Sequence, residues 1–210
     1  MSEIKNAGKT LMYFDMDGVL VDFQSGIDAL QISDEKRKYC EEHNKFDEEP
    51  GIFGLMQPTY GAVRAIKELA RHYELHILST APWNNPTAWS DKLLWVKKHF
   101  DNTVEANKEN KNTGNPFYKR ITISHRKDRV FGAVLVEDNL SKNGADGFKG
   151  EKVWFHFDDS KVASCPEELK ASGVKEAKNW YELLSILMPK DDTSWMQYKS
   201  ELVKDSMTKQ

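Results

Sequence analysis

The feature that most constrains this chain is the apolar run Leu11-Met12-Tyr13-Phe14, which stops abruptly at Asp15-Met16-Asp17-Gly18-Val19. An apolar run of that length, closed by an acidic and glycine cluster, reads as a buried parallel strand that delivers carboxylates to its C-terminal end. In open α/β sheets that end is where ligands bind. Two carboxylates two residues apart at a strand tip repel each other and lose hydration. A fold tolerates this more readily when a cation or a reaction uses them. The plainer alternative is an acidic strand-to-loop corner, because Asp-Gly is a common turn pair.

Four further apolar, β-rich runs follow, at residues 74–80 (ELHILST), 120–124 (RITIS), 133–138 (AVLVED) and 152–157 (KVWFHF). Helical patterns lie between several of them. Residues 62–72 carry Val63, Ile66, Leu69 and Ala70 at helical spacing. Residues 86–100 carry Trp89, Leu93, Val96, Lys97 and Phe100, with Pro86 in a first-turn position. Residues 180–188 form another helix, ended by Pro189. Strands alternating with helices predict an α/β chain with a mostly parallel, doubly wound, Rossmann-like sheet and right-handed crossovers.

Residues 24–58 do not fit that alternation. They hold an apolar-poor helix candidate at 34–44, then Phe46 and the glycine-rich Pro50-Gly51-Ile52-Phe53-Gly54. The predicted division is a core of residues 10–23 and 59–189, an insertion of 24–58 and a tail of 190–210. Residues 102–115, rich in Asn, Lys and Glu, read as a mobile loop. The tail has a weak amphipathic pattern of Trp195, Tyr198 and Leu202. It either docks on the domain or joins two copies as a homodimer, and the pattern leaves both open.

The 210 residues suffice for one α/β domain with a modest insertion. The net charge of -3, with no long basic run, gives nothing that favours nucleic acid polymers as a partner, and none is expected. No apolar stretch is long enough to span a bilayer, and the polar N-terminus lacks the apolar core of a signal peptide. Cys40 and Cys165 are isolated thiols without metal-site spacing, which fits a reducing compartment and a cytoplasmic location. There is no phosphate loop ending in Gly-Lys-Ser/Thr and no Gly-x-Ser-x-Gly elbow, and the six histidines form no close metal-binding pair.

The string Asp15-Met16-Asp17-Gly18-Val19-Leu20 resembles the first signature of the haloacid dehalogenase superfamily of phosphatases. The longer string at residues 15–23, DMDGVLVDF, resembles its 5'(3')-deoxyribonucleotidase branch. The resemblance implies that residues 24–58 are a small, mainly helical cap inserted after the first strand. It makes Asp15 the nucleophile that forms an aspartyl-phosphate. Asp17 becomes the general acid and base. An acid two residues after the nucleophile characterises the phosphatases of this superfamily, whereas its dehalogenases lack one.

A phosphate dianion approaching a carboxylate needs a cation, and Mg²⁺ prefers few carboxylates, several waters and substrate oxygens. A second acidic pair, Glu137-Asp138, ends the run at 133–138. The resemblance implies that Asp15, the backbone carbonyl of Asp17 and Asp138 ligate Mg²⁺, with Glu137 acting through water or hydrogen bonds. The branch usually carries two aspartates where this chain has Glu then Asp. Thr80 occupies the position of the second motif, where its hydroxyl would hold phosphate. Relatives often carry another hydroxyl next, where this chain has Ala81 before Pro82. The third motif is a lysine, and Lys127 lies ten residues before Glu137. Arg126 competes for the role, but a compact ammonium better suits a crowded site.

These four motifs fall in order at strand ends, and the resemblance covers roughly residues 11–157. Relatives place an aromatic residue beside the nucleoside base at the position of Phe23. Ile52, Phe53 and Trp83 are further candidates for a stacking pocket, although each serves equally well as a packing residue. The implied substrate is a small phosphomonoester, a deoxyribonucleoside monophosphate cleaved at the 5' or 3' position. Competing readings are a sugar-phosphate phosphatase, a phosphotransferase and a non-catalytic nucleotide-binding protein. Pure binding needs neither a nucleophile nor an acid, so the set Asp15, Asp17, Lys127 and Asp138 argues against the last.

Overall fold

Strand β1 (Thr10–Phe14) sends Met12 and Phe14 to one side of a sheet and Tyr13 to the other, each into a separate apolar cluster. The same alternation runs through β4 (Tyr73–Ser79), β6 (Val134–Glu137) and β7 (Glu151–Phe155), so both faces of each strand are buried. This is why these strands read as continuous apolar runs. The computed structural model describes residues 9–101, 114–157 and 164–203. Most of the Asn- and Lys-rich stretch expected to be a mobile loop lies outside the described residues.

With β5 (Ile121–Ile123) and β8 (Lys175–Ala177), these strands form a parallel sheet in the order β5-β4-β1-β6-β7-β8. β8 has a single buried residue, Ala177, and too little apolar sequence to signal a strand. From β1 the chain builds outward through β4 and β5, then returns to pair β6 on the other side of β1. The carboxyl end of β1 is therefore the switch point, where a crevice opens between diverging connections. Phe14 is level with Ile77 and with Val136, so the residues after β1, β4 and β6 emerge side by side.

After β1 the chain turns on Gly18 in the left-handed region (φ 72) and enters β2 (Val21–Asp22). β2 pairs antiparallel with β3 (Gln57–Pro58), stitching together the two ends of the intervening segment. That segment contains α1 (Phe23–Ala29), capped by Asp22, α2 (Asp34–His43), capped by Ser33, and α3 (Ile52–Leu55). Its Leu30, Cys40, Phe46, Ile52, Phe53 and Met56 belong to the same buried cluster as Phe14 and Ile77.

Helices α4 (Ala62–Leu69), α5 (Ala88–Phe100) and α7 (Trp180–Leu187) fall close to expectation, whereas α6 (Glu167–Ala171) and α1 were not foreseen. The inner face of α5 differs from the sequence reading. Ala88, Lys92, Trp95, Val96 and Phe100 are buried, whereas Trp89 is 59% and Leu93 49% exposed. Apolar spacing held for Val96 and Phe100 but not for Trp89 and Leu93, because an ion pair draws Lys92 inward and Trp95 Nε1 donates to the Met56 carbonyl at 2.8 Å. The tail docks on its own chain through α8 (Lys199–Leu202) and the turn before it, burying Trp195 and Leu202 in the main cluster. Among the described residues, no helix is long and apolar enough to cross a membrane.

Candidate active site

The site is assembled at the carboxyl ends of four neighbouring strands. β1 contributes Asp15 and Asp17, β4 ends in Ser79 with Thr80 next, β5 leads to Lys127, and β6 ends in Glu137 followed by Asp138. Backbone pairing places Asp15 rigidly, its N–H donating to the Val136 carbonyl at 3.0 Å. The turn that follows is tied by the N–H groups of Leu20 and Val21, both donating to the Met16 carbonyl. Glycine is required at position 18 on two counts. Its φ is positive, and a Cβ there would stand 2.3 Å from Asp138 Oδ2.

Carboxylate oxygens of Asp15, Glu137 and Asp138 all lie within 4.8 Å of one another. Lys127, 1% exposed, donates to Glu137 Oε2 at 2.5 Å and reaches Asp15 Oδ2 at 3.2 Å. Arg126, the competitor for this role, points away and pairs with Asp128 through both nitrogens of its fork. A second ammonium enters from the opposite side. Lys92 donates to Asp17 Oδ2 at 2.7 Å and to Ser79 Oγ at 3.0 Å. The Ser79 hydroxyl also donates to Asp15.

Neither Lys92 nor Ser79 was expected from the sequence. Lys92 lies one residue off the apolar stripe through Leu93 and Val96, and Ser79 sits inside the apolar run just before Thr80. A charged residue at i+4 from the buried Ala88 and i−4 from Val96 was the one available signal. Thr80 is half-buried immediately after β4. Phe23 is half-buried and meets Phe53 edge to face at 6.2 Å. Phe53 is buried with its ring 4.5 Å from the Lys92 ammonium, whereas Trp83 stands 93% exposed.

Charge balance favours a divalent cation. Four carboxylates, Asp15, Asp17, Glu137 and Asp138, meet two ammonium groups, Lys92 and Lys127. Fully ionised, the cluster carries two uncompensated negative charges. Asp15 Oδ1 and Asp17 Oδ1 are buried without a hydrogen-bond partner, an arrangement that costs free energy unless something else meets them. An all-oxygen donor set of this kind suits a hard divalent ion.

The same imbalance separates the carboxyl groups. Burial pushes Asp15 upward, but Lys127, Lys92 and hydrogen bonds from Ser79 and the Met16 N–H outweigh it and hold Asp15 below its ordinary value. Asp17 is raised, by burial first and then by Asp15, with Lys92 opposing. Asp138 is pushed up to about 7, by burial and by repulsion from Asp15 and Asp17. Glu137 is raised well above the usual range by burial and Asp15. Two carboxyl groups two residues apart, one held ionised and the other biased toward keeping its proton, can act as nucleophile and acid in one reaction.

Residues 32–191 match the family model described as 5' nucleotidase, deoxy (pyrimidine), cytosolic type C protein (NT5C). That span holds Lys92, Lys127, Glu137 and Asp138 and begins after the Asp15 turn. A candidate 5'(3')-deoxyribonucleotidase of Vibrio phage KVP40 is 43% identical over 159 residues, covering 76% of this chain and 83% of the relative. The 5'(3')-deoxyribonucleotidase of Bacillus subtilis is 21% identical over 134 residues, covering 63% of each chain. The chain thus spans less than two thirds of the length of the more distant relatives. Two solved structures share the fold. A haloacid dehalogenase-like hydrolase from Streptococcus pneumoniae has a TM-score of 0.50 at 15% identity, covering 85% of this chain and 98% of the other. A candidate hydrolase of the same class from Bacillus subtilis, solved bound to magnesium, has a TM-score of 0.53 at 15% identity, covering 86% and 99%.

Proposed function

This chain belongs to the 5'(3')-deoxyribonucleotidase family of the haloacid dehalogenase superfamily, and on that premise we propose that it hydrolyses deoxyribonucleoside monophosphates through an aspartyl-phosphate. The observation that carries the reading is the pairing of Lys127-bound Asp15 with Asp17 two residues on, beside the acidic Glu137-Asp138 pair. Asp15 attacks phosphorus, an Asp15 oxygen–phosphorus bond forms, and the ester oxygen–phosphorus bond breaks. The proton on Asp17 passes to the departing ester oxygen, releasing the nucleoside. A water then gives its proton back to Asp17 and attacks the phosphorus, which frees Asp15 and inorganic phosphate.

Lys127 balances the charge of Asp15 and Glu137 throughout and lets the phosphate approach. Asp15, the carbonyl of Asp17 and Asp138 are the residues to hold Mg²⁺, which when bound supplies the positive charge that the cluster lacks. Thr80, which directly follows Ser79 at the end of β4, is assigned to the phosphate oxygens. Phe23, which meets Phe53 edge to face, is assigned with Phe53 and the exposed Trp83 to the base side. Residues 24–58 serve as the cap.

The test is phosphate release from 2', 3' and 5' nucleoside monophosphates and sugar phosphates, with and without Mg²⁺. Metal-dependent preference for deoxynucleotides is the expected result. Release from sugar phosphates alone would keep the roles of Asp15 and Asp17 and overturn the substrate. Transfer of phosphate to an added alcohol in place of water would reassign the chain as a phosphotransferase. Asp17→Asn should be nearly inactive yet accumulate phosphoenzyme with an activated substrate.

A further inference from the structure

Lys92 lies in the middle of a helix and is 0% exposed. Burying an ammonium is costly unless a partner with good geometry meets it. Its surroundings are specific. Nζ donates to Asp17 Oδ2 at 2.7 Å and to Ser79 Oγ at 3.0 Å, and the Phe53 ring covers it at 4.5 Å. The contacts come from three segments: the β1 turn, the end of β4 and the inserted segment. They leave the ammonium one position.

That position determines how Asp17 presents itself. Oδ2 is engaged by Lys92, while Oδ1 is buried and has no hydrogen-bond partner. A carboxyl group held by a buried ammonium through one oxygen keeps one orientation. A general acid must stand within hydrogen-bond reach of the leaving oxygen, so an Asp17 side chain free to rotate would spend much of its time out of reach. The two lysines are thus divided between the two aspartates. Lys127 attends Asp15 and Glu137, and Lys92 attends Asp17.

We propose that Lys92 is a positioning residue for proton transfer, fixing the Asp17 carboxyl through Oδ2 so that it stays in reach of the leaving oxygen. The inference rests on the phosphatase reading above and goes beyond it in giving Lys92 a role separate from phosphate binding and from scaffolding. Phe53 belongs to the same device, because its ring excludes water from the ammonium.

The distinguishing measurement is the dependence on leaving group. A deoxynucleoside 5'-monophosphate releases an alkoxide that needs a proton, whereas p-nitrophenyl phosphate releases a stable phenolate that does not. With the full chain and saturating Mg²⁺, Lys92→Met should lower kcat/KM for the nucleotide by on the order of 10²- to 10³-fold. The loss on p-nitrophenyl phosphate should be about tenfold or less, so the selectivity of the loss carries the signal. Lys92→Arg should recover part of the nucleotide rate. Adding Lys92→Met to Asp17→Asn should cost nothing further on the nucleotide, since Lys92 acts through Asp17.

Equal losses on both substrates, or a further loss in the double variant, would overturn the proposal in favour of phosphate binding or scaffolding. If Lys92→Met fails to give a folded circular dichroism spectrum, Lys92→Arg carries the test. A smaller loss that is again selective for the nucleotide supports the proposal, and an equal loss on both refutes it. A wild-type chain inactive on both substrates would instead remove the phosphatase reading on which the proposal stands.

Discussion

Gly18→Ala tests the logic of the acidic turn most directly, because two separable penalties meet at that residue. Gly18 has φ 72, and a Cβ there would lie 2.3 Å from Asp138 Oδ2 and 2.7 Å from its Cγ. Holding an alanine in the left-handed region costs about 1–2 kcal/mol. For a chain of this size that lowers Tm by roughly 2–8 °C. The second penalty falls on the site. Ordinary contact begins at 3.4 Å, so relieving the collision at 2.3 Å moves the Asp138 carboxylate by about an ångström. Displacement on that scale should weaken divalent-cation binding by roughly 10- to 100-fold and turnover by a comparable factor.

Gly51→Ala provides the control. Gly51 has φ 86 and no atom within 4 Å of the position its Cβ would take, so it carries the backbone cost alone. The two variants should melt within a few degrees of each other, whereas only Gly18→Ala should lose Mg²⁺ affinity in a calorimetric titration. Wild-type affinity and activity in Gly18→Ala would refute the assignment of Asp138 to the cation and the argument for glycine at this turn.

Other predictions concern charge. Asp15→Asn should lower turnover by at least roughly 10³-fold while leaving the circular dichroism spectrum unchanged, and substantial remaining activity would rule out Asp15 as nucleophile. In chelator, stability should fall as pH rises from about 4 to about 7. The Asp138 carboxyl is raised from 3.8 to about 7 in the folded chain, by burial first and then by Asp15 and Asp17, so the folded state holds a proton that the unfolded state releases. Thermal melts should therefore show Mg²⁺ raising Tm more at pH 8 than at pH 5, and a Tm independent of pH in chelator would contradict this. Asp192 on the tail has the opposite sign. Hydrogen bonds from Ser194 and its neighbour His72 hold it down at about 2, so its contribution is present above about 4 and is lost as pH falls toward 2. Asp192→Asn should flatten that acid limb in melts followed by tryptophan fluorescence, since Trp195 Nε1 donates to the Asp192 carbonyl.

Much of this molecule was legible in one dimension. Strands buried on both faces announce themselves as unbroken apolar runs, and a run that ends in Asp-x-Asp-Gly at the middle of a parallel sheet states where the carboxylates go. Asp15, Asp17, Glu137 and Asp138 could be located because each closes or follows such a run, whereas Lys127 was singled out by the family resemblance and its spacing from Glu137. The short β8 strand and α1 could not, because their apolar content is low and their burial comes from neighbours distant in the chain.

The phase of α5 shows the limit most clearly. Apolar spacing alone placed Trp89 and Leu93 inward, but the helix turns Lys92 and Trp95 to the interior instead. What decides the phase is Asp17, seventy-five residues earlier, whose charge offsets the burial of Lys92, together with the Met56 carbonyl that accepts from Trp95. Likewise the tail pattern of Trp195 and Leu202 did not say where in its own chain the tail packs, and the nearby faces of α4 and α7 supply that place. Local sequence determined which strands form and which carboxylates stand at their ends, because backbone pairing and apolar burial act along a few consecutive residues. Tertiary structure alone decided which lysine serves which aspartate, because a buried charge is stable only beside a partner that folding brings from far along the chain.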